Sequence, residues 1–164
     1  MEPIIEEPGK IHQTDALIIG AGPVGLFAVF ELGLLDIKCH LVDILDFPGG
    51  QCSELYPEKP IYDIPAYPII SAMELVNNLK KQIDPFEPQY LLSQRVNELK
   101  EQGNGSFELV TSQGNKIMVK AVIIAAGAGA FGPNKPPLAN IEEYEGKSIF
   151  YSVRDKNIFN GKTV

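Results

Sequence analysis

The period of apolar and polar positions changes several times along the chain, and each change marks an element. Ala16 to Ile19 is a short, unbroken apolar run, and Lys38 to Ile44 carries a second. Runs this short suit strands covered on both faces, as in a parallel sheet. Between them, Pro23 to Leu34 places Leu26, Phe27, Ala28, Val29, Phe30, Leu32 and Leu34 nearly all round a helix, which predicts burial on both sides and a stop near Gly33. Ser71-Ala-Met-Glu74 is a capping box. It opens a helix with Ala72, Leu75, Val76, Leu79 and Ile83 on one face and a solvated face of Asn77, Asn78, Lys80 and Lys81, ending before Pro85. Tyr90 to Leu92 reads as a short parallel strand.

Further on the period becomes two. Arg95 to Lys100, Ser106 to Thr111 and Lys116 to Lys120 alternate, and Gly- and Asn-rich turns separate them. That pattern predicts an antiparallel meander. Ala121 to Gly127 is apolar throughout and predicts a buried parallel strand. The fold class is α/β, a Rossmann-like parallel sheet with an inserted antiparallel β-meander. Met1 to Gln13, with Glu2, Glu6, Glu7, Pro3 and Pro8, reads as a flexible acidic lead-in. An apolar stretch, Ile149 to Val153, marks the tail.

The first strand runs into Gly20-Ala-Gly22-Pro-Val-Gly25 and the second ends at Asp43, 18 residues beyond Gly25. Strand, Gly-x-Gly-x-x-Gly, helix, strand and acid in that order form a dinucleotide-binding fingerprint. Gly20 turns the chain sharply, Gly22 lets a pyrophosphate approach the backbone, and Gly25 lets helix pack on strand. Pro23 fits the first helical turn, where its missing N–H costs little. Free N–H groups at the helix start attract phosphates. Asp43 suits a ribose diol and repels a 2′-phosphate, which favours FAD or NAD over NADP at this site. The bland alternative is a glycine-rich turn that binds nothing.

Two loops join this picture. Leu45 to Pro68 has no sustained period, holds Gly49-Gly50-Gln51-Cys52 and Tyr56, and is longer than the about 12–15 residues usual for unstructured connections. It reads as a surface excursion or as a segment covering a cofactor. Gly127-Ala-Gly129-Ala-Phe131-Gly132-Pro133 closes the last strand, at the sheet edge where ligands bind in open α/β folds.

Composition narrows the partners. At 164 residues and 45% hydrophobic, the chain suits one packed domain. A net charge of −7 argues against nucleic acid and anionic membranes. No apolar run reaches the about 18 residues of a membrane helix, and no secretory signal is visible. Cys39 and Cys52 form no Cys-x-x-Cys and fit a reducing compartment, so the expected location is cytoplasmic. His12 and His40, without clustered cysteines or acids, make no metal site, and His40 reads as a packing residue.

Gly20-Ala-Gly-Pro-Val-Gly25, Gly49-Gly-Gln-Cys-Ser-Glu-Leu-Tyr-Pro-Glu-Lys59, the meander and Ile123-Ile-Ala-Ala-Gly127-Ala-Gly-Ala-Phe131 resemble the thioredoxin-reductase-like (type 2) ferredoxin–NADP reductases over nearly the whole chain. The resemblance implies a homodimeric flavoprotein, with NADPH giving a hydride to FAD and FAD passing electrons to ferredoxin or a similar iron–sulfur protein. It implies a ribose role for Asp43, pyrophosphate contacts at Pro23 and Val24, and flavin-side contacts from Gly50 and Gln51. It implies isoalloxazine stacking by Tyr56, adenine contact at the Val96 backbone, and cofactor lining by Ala126, Gly127 and Phe131. By sequence alone, Tyr56 and Phe131 read as core or loop packing. No catalytic side chain is demanded.

Thioredoxin reductases carry a redox Cys-x-x-Cys where this chain has Tyr151 and Arg154, so a dithiol relay is not expected. Residues 14–148 match the FAD domain without its returning segment, and 149–164 resemble the crossover into an NADPH domain. The alternatives are an FAD-binding module inactive on its own, or a thioredoxin-reductase-like flavoprotein lacking the dithiol.

Overall fold

A computed structural model describes residues 9–129, 135–151, 153 and 156–163. In chain order the elements are β1 (Ile11–Gln13), β2 (Ala16–Ile19), α1 (Pro23–Leu34), β3 (Cys39–Val42), α2 (Gln51–Glu54), β4 (Pro60–Ile61), β5 (Ile70–Ser71), α3 (Ala72–Ile83), β6 (Gln89–Leu91), β7 (Val96–Gln102), β8 (Ser106–Thr111), β9 (Lys116–Val119) and β10 (Ala121–Ile124). One sheet is all parallel, in the order β10-β2-β3-β6, and the other runs β1-β9-β8-β7. β4 and β5 form a small antiparallel pair.

These residues sort themselves into layers by alternation. On β2, Ala16 and Ile18 join Leu26 and Val29 of α1 and Val76 and Ile83 of α3 in one core. Leu17 joins Val42, Leu91, Leu109, Ile117 and Val119 in a second core under the meander. With helices on one face and the meander on the other, β2 has no solvent face. That is why its sequence is apolar without a break. Gly33 lies inside α1 rather than ending it: a Cβ there would press into the Phe86 ring, so the glycine serves close packing. The capping box holds, with the Glu74 N–H donating to Ser71 Oγ at 3.2 Å.

Three expectations change. α1 is buried on one side only: Gly25, Leu26 and Val29 face the sheet, while Val24 and Leu34 are 71% and 61% exposed. An all-round apolar pattern says a helix can be buried on two sides, and only one neighbouring layer is present among the described residues. β10 is an edge strand, with Ile124 74% exposed, because among the described residues it hydrogen-bonds to β2 alone, although Val122 and Ile123 pack against the two cores. Residues 9–13 are tied down instead of loose. β1 pairs in parallel with β9, and Asn115 Oδ1 accepts from the Gly9 and Lys10 N–H groups at 3.1 and 3.0 Å.

The strand order has a consequence for function. From β2 the chain moves one way to β3 and β6, and then returns through the meander to place β10 on the other side of β2. A reversal of this kind leaves a crevice at the carboxyl ends of β2 and β10, the switch point where open α/β sheets bind ligands.

Candidate functional site

The glycine turn sits in that crevice. Gly20 has φ +106°, and a Cβ on it would strike the Ala125 carbonyl oxygen at the end of β10. A Cβ on Gly25 would strike the Gly20 carbonyl oxygen. The turn is therefore held between the end of β10 and the start of α1, with room for backbone only. No side chain caps α1, whose N-cap is Gly22 and whose first residue is Pro23. Its first-turn N–H groups and dipole are left available to an anion.

Asp43 closes the turn from β3. Its Oδ2 accepts from the Ala21 N–H at 2.7 Å and its Oδ1 from the Leu45 N–H at 2.9 Å. The spacing in sequence suggested a ligand contact; the structure adds a bracing role that no local pattern announces. A carboxylate has about four lone-pair sites, so two remain for a diol.

The long loop comes back to the same place. The Gly49 N–H donates to the Ala21 carbonyl at 2.8 Å. A Cβ on Gly50 would lie 3.1 Å from Gly22 Cα, so Gly50 and the glycine turn meet backbone to backbone. A Cβ on Gly49 would run into Ser53 Oγ, whose residue is buried on α2. Gly49 and Ser53 thus shape the site, and the sequence pointed to the loop without separating their roles from Gly50. Gln51 begins α2. Its Nε2 lies 3.6 Å from where a Cβ on Gly127 would stand, and its Oε1 accepts from the Tyr56 hydroxyl at 3.2 Å. The Lys59 ammonium lies 5.0 Å from the Tyr56 ring centroid. The loop is thus a built wall of the crevice.

Val96 enters from the meander. It lines a cleft of about 250 Å³ together with Ile19, Gly20, Asp43, Ile44 and Ala126. That is below the about 300–1,000 Å³ of a pocket for a drug-sized ligand, and suits one part of a dinucleotide, a nucleoside with apolar walls and an acid. Gly20, Gly22, Pro23, Gly25, Asp43, Gly50, Gln51, Tyr56, Val96, Ala126 and Gly127 gather around the crevice. Val24 is largely exposed. Phe131 and Arg154 lie outside the described residues.

A larger cavity, about 510 Å³, lies at the opposite edge, where Asp15, Lys38 and Lys120 precede their strands. Two of its charges pair with each other: Lys120 Nζ is 2.8 Å from Asp15 Oδ1. The hydrogen bond from Lys120 holds the Asp15 carboxyl below its ordinary range. Size alone would favour this cavity; the strand direction, glycine contacts and helix start favour the crevice.

The candidate site offers bare backbone, an uncapped helix start and an acid, and little chemistry of its own. Cys39 is buried, and burial pushes its thiol up to about 11, which leaves it inert as a nucleophile at neutral pH. Burial also raises the Cys52 thiol. The His12 and His40 rings meet edge-on at 5.9 Å between centroids, as packing groups do. Among the described residues no cluster of three or more His, Cys, Asp or Glu could hold a metal, and no helix is long and apolar enough to cross a membrane. The bare backbone of the turn, the uncapped helix start and the acid fit a dinucleotide such as FAD.

Comparison with known proteins agrees with this geometry. A model of the family described as pyridine nucleotide-disulphide oxidoreductase matches residues 14–163. A ferredoxin–NADP reductase from Rickettsia canadensis is 59% identical over 154 residues, covering 94% of this chain and 45% of that protein. One from Mesorhizobium japonicum is 59% identical over 151 residues, covering 92% and 44%. The chain spans under half the length of these curated relatives. Among solved structures, thioredoxin reductase from Streptococcus pyogenes aligns with a TM-score of 0.62 at 23% identity, over 80% of this chain and 40% of that one. Cyclohexanone monooxygenase in its closed form aligns at 0.62 and 24%, over 77% and 28%. At such identities the two structures speak for the fold alone.

Proposed function

Because this chain belongs to the pyridine nucleotide-disulphide oxidoreductase family and is homologous to ferredoxin–NADP reductases, we propose that it is the FAD-binding portion of such a reductase. The whole enzyme passes electrons from NADPH through FAD to ferredoxin or a similar iron–sulfur protein, as a cytoplasmic homodimer. Residues 14–148 hold FAD, and 149–164 lead toward an NADPH-binding domain. The observation that carries the reading is the closure of Gly50 onto Gly22 of the Gly20–Gly25 turn, at the switch point of the sheet, with Gln51 beside Gly127 at the end of β10.

Each residue then has a task. Gly22, Pro23, Val24 and Gly25 receive the pyrophosphate through backbone and helix dipole. Asp43 uses its spare lone pairs on the ribose diol while bracing the turn. The backbone at Val96 receives adenine in the 250 Å³ cleft. Gly50 and Gln51 meet the flavin side, Tyr56 covers the isoalloxazine, and Ala126, Gly127 and Phe131 line it. Bound FAD would supply the hydride and one-electron chemistry; these residues hold it, exclude water and set its electrostatics.

A second reading is a cofactor module that turns nothing over by itself. It follows from the share of the relatives that the chain spans. A thioredoxin-reductase-like relay is disfavoured by Cys39, which is buried and lies 13 positions from Cys52 in sequence.

The visible absorption spectrum of the purified chain, taken after adding excess FAD and desalting, tests the proposal. Retained flavin bands are the expected result. A colourless chain would overturn the claim that these residues form an FAD site on their own.

A further inference from the structure

We infer that the Tyr56 hydroxyl is a positioning group that acts through Gln51, and that Lys59 tunes it; the inference rests on the FAD reading above. The hydroxyl donates to Gln51 Oε1 at 3.2 Å. A side-chain amide has one oxygen and one NH2 group on opposite branches. With Oε1 engaged by a donor, Nε2 is fixed on the other side. There it faces Gly127, whose φ of +55° and missing side chain leave bare backbone at the end of β10. The pairing thus sets which end of the amide meets the crevice, and it sets a donor.

Lys59 completes the series. Its N–H donates to the Tyr56 carbonyl at 3.0 Å, a turn that brings the two side chains together. Its ammonium then rests over the Tyr56 ring, 5.0 Å from the centroid. A cation over a phenol ring draws electron density from it and makes the hydroxyl a stronger donor. Polarisation passes along a hydrogen-bonded chain, so the Gln51 N–H strengthens in turn. The 3.2 Å bond is long for a hydroxyl donor, and contacts of this kind shorten when a ligand fills the site.

The consequence is electrostatic. An N–H aimed at a carbonyl oxygen or ring nitrogen of the isoalloxazine favours the state in which that atom carries more negative charge, the reduced one. Tyr56 therefore has two separable roles, a ring that covers and a hydroxyl that positions.

The test uses the chain loaded with FAD, its Tyr56→Phe, Tyr56→Leu, Lys59→Met and Lys59→Arg variants, and three readouts: flavin retained after desalting, quenching of flavin fluorescence, and midpoint potential. Tyr56→Phe should retain flavin after desalting, with weaker quenching because phenylalanine is a poor electron donor to the excited flavin. It should weaken binding of reduced relative to oxidised flavin about tenfold, a potential about 30 mV more negative for a two-electron couple. Lys59→Met should move the potential the same way by less, with Lys59→Arg restoring it. Tyr56→Leu loses the covering ring as well and should retain less flavin than Tyr56→Phe. A Tyr56→Phe chain with unchanged potential overturns the inference and leaves the FAD reading standing. Lys59→Met, a change at an exposed side chain, tests the same series should Tyr56→Phe fold poorly; an unchanged potential there overturns the role of Lys59. A wild-type chain that retains no flavin overturns the reading, and the inference with it.

Discussion

The glycines of the crevice and those of the meander look alike in sequence and differ in what they must avoid. At Gly20, Gly25 and Gly49 an added Cβ would strike an atom of another residue, and at Gly50 it would crowd Gly22. At Gly103, Gly105 and Gly114 it would meet nothing within 4 Å. The first group is required by the approach of two segments; the second merely eases a chain reversal in open solvent. A glycine demanded by contact marks a close approach, and at Gly20, Gly25 and Gly50 that approach is of backbone to backbone at the switch point of the sheet. Gly25 meets Gly20 and Gly49 meets Ser53 within a few residues, whereas Gly20 meets Ala125 and Gly50 meets Gly22 across long stretches of sequence, which no local motif contains.

Gly25→Ala should show the largest effect. Its Cβ would drive into the Gly20 carbonyl, and both sides of that contact are backbone, which cannot swing aside. The start of α1 must leave β2, at a cost of about 3 kcal/mol. Urea unfolding should show that loss, and desalting after FAD addition should leave the variant colourless. A stable Gly25→Ala chain that retains flavin would erase the contrast.

Asp43→Ala comes next. It removes both acceptors that brace Ala21 and Leu45, at a cost of about 2 kcal/mol in stability. It should also weaken FAD about tenfold, equivalent to about 1.4 kcal/mol. Asp43→Asn keeps one oxygen and should fall between. Lost stability with unchanged affinity would mean that Asp43 serves the turn alone.

The regular elements were legible because their signals are local. The capping box at Ser71, the unbroken apolar run of β2 and the alternation of β8 each reflect a period a few residues long. What escaped depends on distant partners. The outer face of α1 carries Phe27 and Leu34 like a buried face, and only the layer count shows that it is open. β1 exists because β9, about a hundred positions away, pairs with it, and Asn115 accepts from Gly9 and Lys10 just before it. Gln94 looks like an ordinary loop residue, yet it is buried, and its Oε1 accepts from both Thr111 Oγ1 and Asn115 Nδ2. At the site, the fingerprint named Gly20, Gly22, Gly25 and Asp43. The family resemblance was needed to bring in Gln51 and Tyr56, because a loop without a period gives no sign of which wall it will form.

Asn115→Ala transfers the test to the meander side. Asn115 is fully buried and joins β1 to Gln94 through three hydrogen bonds. Removing it strands buried polar groups and should cost about 2 kcal/mol. Its partner Gln94 also lines the 250 Å³ cleft and donates its N–H to the Asp43 carbonyl at 2.8 Å, so FAD affinity should fall, by less than in Asp43→Ala, at a temperature where the variant is folded. Unchanged affinity in folded Asn115→Ala would show that Gln94 keeps its place in the cleft without Asn115.

Gly105→Ala should be the mildest change and is the sharpest control. Gly105 sits in the turn between β7 and β8 at φ +80°, so an alanine there is conformationally strained. The left-handed region costs an L residue about 1–2 kcal/mol. Against this, alanine loses less freedom on folding than glycine, which returns about 0.4–1 kcal/mol. The net cost should be about 0.5 kcal/mol, a fall of a few degrees in Tm at most. No neighbour has to move, because the space around Gly105 is open. FAD uptake and fluorescence quenching should match those of the unaltered chain. If thermal melts instead showed Gly105→Ala to be as damaging as Gly25→Ala, backbone conformation rather than close approach would set what each glycine is for. The crevice would then owe its glycines to the same cause as any other turn.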